Sequence, residues 1–110
     1  MQAKTEALAE ARIRALKDRI ARLGPMRPGL LTVQYKDPAR KRGAYRQISY
    51  TFQKRSRSDY VRPDDLPRIR EELKNYARFK ALCEKLVAES LSLSKLRSAA
   101  SRNRTRPPSA

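Results

Sequence analysis

The sequence predicts an α+β fold: two long antiparallel helices flanking a small three-stranded antiparallel meander, with a disordered basic C-terminal tail. Three observations predict it. Apolar residues recur at helical spacing before Gly24 and again after Pro67. Between those stretches, from Leu30, the spacing changes to period two. Beyond Leu96 no large apolar residue occurs at all. The expected organisation is one domain over residues 1–96, comprising a helix over 1–23, a meander over 30–61 and a helix over 64–95. Residues 97–110 form the tail.

The first helix rests on Leu8, Ile13, Leu16, Ile20 and Leu23, which place a narrow apolar stripe on one face. Arg12, Arg14, Lys17, Asp18, Arg19 and Arg22 take the opposite face. Gly24-Pro25 ends the helix, because proline cannot continue it and glycine accepts a left-handed cap. Pro28-Gly29 adds a second break.

The first strand alternates Leu31, Val33 and Tyr35 with Leu30, Thr32 and Gln34. The second alternates Ile48, Tyr50 and Phe52 with Gln47, Ser49, Thr51 and Gln53. Between them lies a long tip from Lys36 to Gly43, opened by Asp37-Pro38. A second turn from Gln53 to Ser58 leads to a very short third strand, Asp59–Val61. The expected apolar face holds Val33, Ile48, Tyr50, Phe52 and Val61.

Asp64 or Asp65 should cap the second helix, with Pro67 in its first turn and Glu71 and Glu72 complementing the positive end. Its stripe runs through Leu66, Ile69, Leu73, Tyr76, Phe79, Leu82, Cys83, Leu86, Val87 and Leu91, with Leu93 a further candidate. It looks longer than the first helix, so its end beyond about Leu86 is expected to lack an internal partner and to be covered by another protein or a second copy. From Arg97 onward the chain has four arginines, Arg97, Arg102, Arg104 and Arg106, and no acid, which reads as disorder.

Composition narrows the chemistry. The 110 residues carry 27 Lys and Arg against 11 Asp and Glu, a formal charge of +16. A polyanion relieves that self-repulsion by giving up its condensed counterions. There is no His and only one Cys, Cys83. No internal disulfide or cysteine-based zinc site follows, and the commonest general base is missing. Cys83, within the apolar stripe, reads as a small buried hydrophobe. The carboxylates at Asp64, Asp65, Glu71 and Glu72 are helix-start residues. The sequence therefore points to no enzyme, no cofactor and no metal. No apolar run approaches the roughly 18 residues of a membrane span, and Glu6, Glu10 and Arg12 interrupt any signal-peptide core. A cytoplasmic, bacterial protein is the expectation.

The candidate binding residues cluster in the meander. Lys36, Arg40, Lys41 and Arg42 load the first turn, Arg46 follows in the second strand, and Lys54, Arg55 and Arg57 load the second turn. Such side chains can grip phosphates, and arginine can also bond a guanine edge in two places. Tyr45 lies on the face opposite Ile48, Tyr50 and Phe52, where a ring can stack on a base. For Tyr45 and Tyr60, core packing and base stacking both stay open; Tyr50 and Phe52 read as core. Arg102, Arg104 and Arg106 add a mobile hold. A charged loop that only maintains solubility and protects a strand edge is the alternative.

Four short motifs carry a family resemblance: Gly29-Leu30-Leu31, Gly43-Ala44-Tyr45, Arg57-Ser58-Asp59-Tyr60-Val61 and Leu73-Lys74-Asn75-Tyr76. From Gly29 to about Leu86 the chain resembles a small uncharacterised bacterial domain family, patterned as strand, basic loop, strand, turn, strand and long helix. Its members are often found beside transposases and mobile-element proteins. Many carry cysteines in the first loop, where this chain has Lys36-Asp37-Pro38-Ala39-Arg40-Lys41-Arg42, so a metal role for that loop does not carry over. The resemblance implies a DNA-binding accessory role beside a larger partner such as a recombinase or transposase. The expected function is thus non-catalytic nucleic-acid binding, DNA favoured over RNA, without membrane contact and with dimerisation left open. A structural RNA-binding protein and a helical adaptor are the rival readings.

Overall fold

The computed structural model describes the backbone of residues 2–105 and the side chains of residues 5–102. The order of elements is α1 (Gln2–Ala21), β1 (Leu30–Asp37), β2 (Arg42–Phe52), β3 (Arg55–Val61), a short 3-10 turn (Pro63–Asp65) and α2 (Leu66–Thr105). The class is α+β, as the change of period implied. The helices are unequal, however: α1 has 20 residues and α2 has 40. The chain divides into two compact units. One holds residues 24–78, and the other holds the residues up to Leu23 together with those from Phe79 onward.

In the first unit the strands form an antiparallel sheet in the order β1-β2-β3. Leu31 pairs with Ile48, and Ile48 with Asp59, while Arg46 pairs with both Val33 and Val61. Opposed residues share a face. One face therefore carries Leu31, Ile48 and Val61, and on it pack Leu66, Ile69 and Leu73 from the first turns of α2. Only Ile48 is fully enclosed. Val33 and Phe52 belong to the same face by parity, yet they are 48% and 62% exposed. The expectation that both lie in the core is corrected here. The apolar side chains of α2 reach the centre of the sheet and not its ends.

The turns are tighter than expected. The first comprises only Pro38–Lys41, because β1 runs through Asp37 and β2 resumes at Arg42. The second is the two-residue pair Gln53-Lys54, with φ of 51° and 66°. Two consecutive positive φ values mark a type I′ hairpin, whose twist matches that of the flanking strands. The third strand is accordingly seven residues long, not three.

The segment between α1 and β1 is fastened to α2 within this unit. Asn75, buried in α2, donates from Nδ2 to the Pro25 carbonyl at 2.9 Å, and its Oδ1 accepts from Arg78 at 3.0 Å. The Arg27 amide donates to the Glu72 carbonyl. Asp64 and Asp65, the alternative expected caps, both lie in the 3-10 turn, and Asp65 pairs with Arg68 at 3.7 Å.

In the second unit, Ala9 and Leu16 of α1 and Leu82 and Leu93 of α2 are buried. Glu10 accepts from Arg97 at 2.7 Å, and Arg12 lies 3.9 Å from Glu89. Numbering falls along α1 as it rises along α2, so the helices are antiparallel. Two expectations change. The end of α2 beyond Leu86 is not without an internal partner, since Leu93 is only 7% exposed. Nor does disorder begin at Arg97: α2 continues through Thr105. Ala99 and Ala100 favour helix, and Arg97 finds Glu10. Cys83 is half-buried and unpaired by disulfide.

Candidate nucleic-acid interface

The sheet sorts the expected binding residues by end and by face. At one end, Arg40 and Lys41 sit in the Pro38–Lys41 turn, with Lys36 in β1 and Arg42 opening β2. At the other, Lys54 is in the hairpin turn and Arg55 and Arg57 follow in β3. Arg46 lies between, beside Val33 and Val61. All eight are exposed. Central strand β2 has eleven residues. At about 3.3 Å per residue, the two cationic ends are roughly 33 Å apart. The two turns therefore do not converge on one point, as a single basic tip would; they form two separate contacts.

Their charge is largely uncommitted. Arg40 is held at its own turn by Asp37, at 4.0 Å through Nε, with its amide also donating to Asp37. Among the described residues, Lys36, Lys41, Arg42, Arg46, Lys54, Arg55 and Arg57 take part in no ion pair. Arg68 contrasts with them. It donates to Glu72 at 2.9 Å, and that hydrogen bond, with the charges of Glu72 and Asp65, raises its pKa above the ordinary arginine value.

The aromatic residues divide between the faces. Tyr50 and Phe52 share the helix-bearing face with Arg57 and Arg55, which pair with them across β2 and β3. These four side chains and Gln53 line an open concavity of about 560 Å³. Arg27 was not among the expected site residues. Its guanidinium lies over the Tyr50 ring at 5.1 Å and reaches Asp59 at 3.5 Å. It neutralises the one carboxylate in β3, and Tyr50 is thereby half-covered. No periodicity reveals such a contact, because Arg27 belongs to no regular element.

Tyr45 and Tyr60 occupy the opposite face, with ring centroids 6.2 Å apart at 52°. Tyr45 pairs with Gln34, and Tyr60 with Gln47. Ser49 and Ser58, and Thr51 and Ser56, hydrogen-bond across the strands at 3.2 and 3.1 Å. Arg102 is exposed in the last turns of α2. Arg104 lies in the same helix, and Arg106 lies outside the described residues.

No group of three His, Cys, Asp or Glu among the described residues could hold a metal ion. No helix among them is long and apolar enough to cross a membrane. No family model, curated protein or solved structure matches the chain.

Proposed function

We propose that the protein binds nucleic acid without catalysis, double-stranded DNA foremost, as an accessory subunit of a mobile-element or DNA-processing complex. The observation that carries this reading is the pair of cationic ends on one small sheet. Their separation of roughly 33 Å by strand rise is close to one turn of B-form DNA, about 34 Å. Phosphates that recur on one side of a duplex at that interval suit two contacts better than one. The mobile-element setting rests on the family resemblance, which also supplies the recombinase or transposase as partner. Leu8, Val87 and Leu91 stay more than half exposed on the helical unit, which supports a protein partner there.

The test is binding to labelled duplex DNA, single strands and structured RNA across a salt series. If six phosphates are neutralised, log affinity for duplex DNA falls with log salt at a slope of about −5. A flat response, or no binding at low salt, rejects the proposal in favour of an adaptor. A clear preference for structured RNA replaces it with the ribonucleoprotein reading.

A further inference from the structure

The sheet face opposite α2 has a composition that phosphate binding does not explain. Its strand positions are Leu30, Thr32, Gln34 and Lys36 in β1, Gly43 to Thr51 by alternate residues in β2, and Ser56, Ser58 and Tyr60 in β3. Not one of them is a carboxylate, and Lys36 is the only cation. Amides and hydroxyls make up most of the rest. In the middle stand two aromatic rings.

A diagonal aromatic pair can serve a sheet simply by packing. Tyr60 does not fit that role alone, because 62% of it is exposed. The rings are tilted at 52°, so each keeps a surface that the other does not cover. An aromatic face bordered by Gln34 and Gln47, without negative charge, matches a nucleobase. The ring stacks on the base, and an amide can pair with a base edge. Paired bases in the interior of a duplex already have both faces stacked. Only an unpaired base can offer one.

We infer that the Tyr45–Tyr60 face binds unpaired bases, so that the preferred DNA is a duplex interrupted by a single-stranded segment. This inference rests on the nucleic-acid reading and adds a second surface to it. The cationic ends hold phosphates, and the tyrosine face holds bases that are already out of the stack.

The experiment compares the full chain on an intact duplex and on the same duplex carrying a short single-stranded gap, by fluorescence anisotropy. The gapped DNA should bind at least about fivefold more tightly, the lower end of what one stacked base contributes. Tyr60→Ala should abolish that preference and leave intact-duplex affinity unchanged, whereas Tyr60→Phe should retain it. The chain has five Tyr and no Trp, so its own emission reports on tyrosines. Gapped DNA should quench that emission in the wild type and quench it less in Tyr60→Ala. Equal affinity for the two DNAs, or a preference that survives Tyr60→Ala, overturns the inference while leaving duplex binding intact. Binding to neither DNA at low salt overturns the nucleic-acid reading itself.

Discussion

A methyl group on the α-carbon of Gly29 would lie 2.7 Å from Cγ1 of Ile48 and 2.9 Å from its Cδ1. The same glycine has φ of 144°, a conformation that side chains rarely adopt. Ile48 is the one fully enclosed side chain of the sheet, so it has no free volume into which to retreat. Gly29→Ala should therefore destabilise the protein by about 2–4 kcal/mol, combining overpacking with backbone strain. Urea unfolding measures this directly. A loss below about 0.5 kcal/mol, the ordinary range of surface substitutions, would mean that the backbone yields at Gly29.

The Gln53-Lys54 turn points the other way. Both residues hold positive φ, for which Asn-Gly is the preferred pair. Gln53→Asn with Lys54→Gly should stabilise the protein by about 1 kcal/mol. Duplex affinity should fall slightly at the same time, because Lys54 is one of the proposed phosphate contacts. Thermal unfolding and a binding isotherm on one sample separate the two effects. A lower melting temperature would rule out the type I′ assignment.

Asn75 makes two bonds from one buried amide, to the Pro25 carbonyl and from Arg78. Asn75→Asp keeps an acceptor for Arg78 and removes the donor to Pro25. Asn75→Leu removes both. The leucine variant should lose about 1 kcal/mol, the net worth of a hydrogen bond to the part-buried Pro25 carbonyl. The aspartate variant should show a similar loss if the Pro25 bond dominates. Full stability in the aspartate variant would transfer the importance to Arg78.

Because the two cationic ends are far apart, their contributions to DNA binding should add. Replacing Lys41 and Arg42 by alanine should reduce the magnitude of the salt slope by about 1.8, at about 0.9 per phosphate contact. Replacing Arg55 and Arg57 should do the same, and the fourfold variant should show the sum. A fourfold variant no weaker than either pair would show that the ends do not engage the same DNA together.

Much of the fold was legible because periodicity reports burial. The α1 stripe ending at Gly24, the alternation around Ile48 and the start of α2 near Pro67 all follow from it. The first half of β3 is not legible, because Arg55-Ser56-Arg57-Ser58 has no apolar alternation to report. It pairs through its backbone and through hydroxyl contacts. The end of α2 is not legible for a related reason. Its arginine- and serine-rich last turns resemble a solvated tail, and the Glu10–Arg97 pair joins residues 87 apart in sequence. Alternation assigned Val33 and Phe52 to the correct face, but it could not say how far α2 extends over that face. The basic residues themselves were legible one by one. Their division between two turns follows from the meander, whereas the placing of Arg27 over Tyr50 depends on a tertiary contact that no local pattern reports.

Since Ile48 and Val61 carry the sheet's share of the enclosed core, most strand positions have no packing duty. Such a sheet works as a display panel. Its outward residues can be replaced with little effect on folding, so the chemistry of the displayed surface can change while the frame around Gly29 and Ile48 stays fixed.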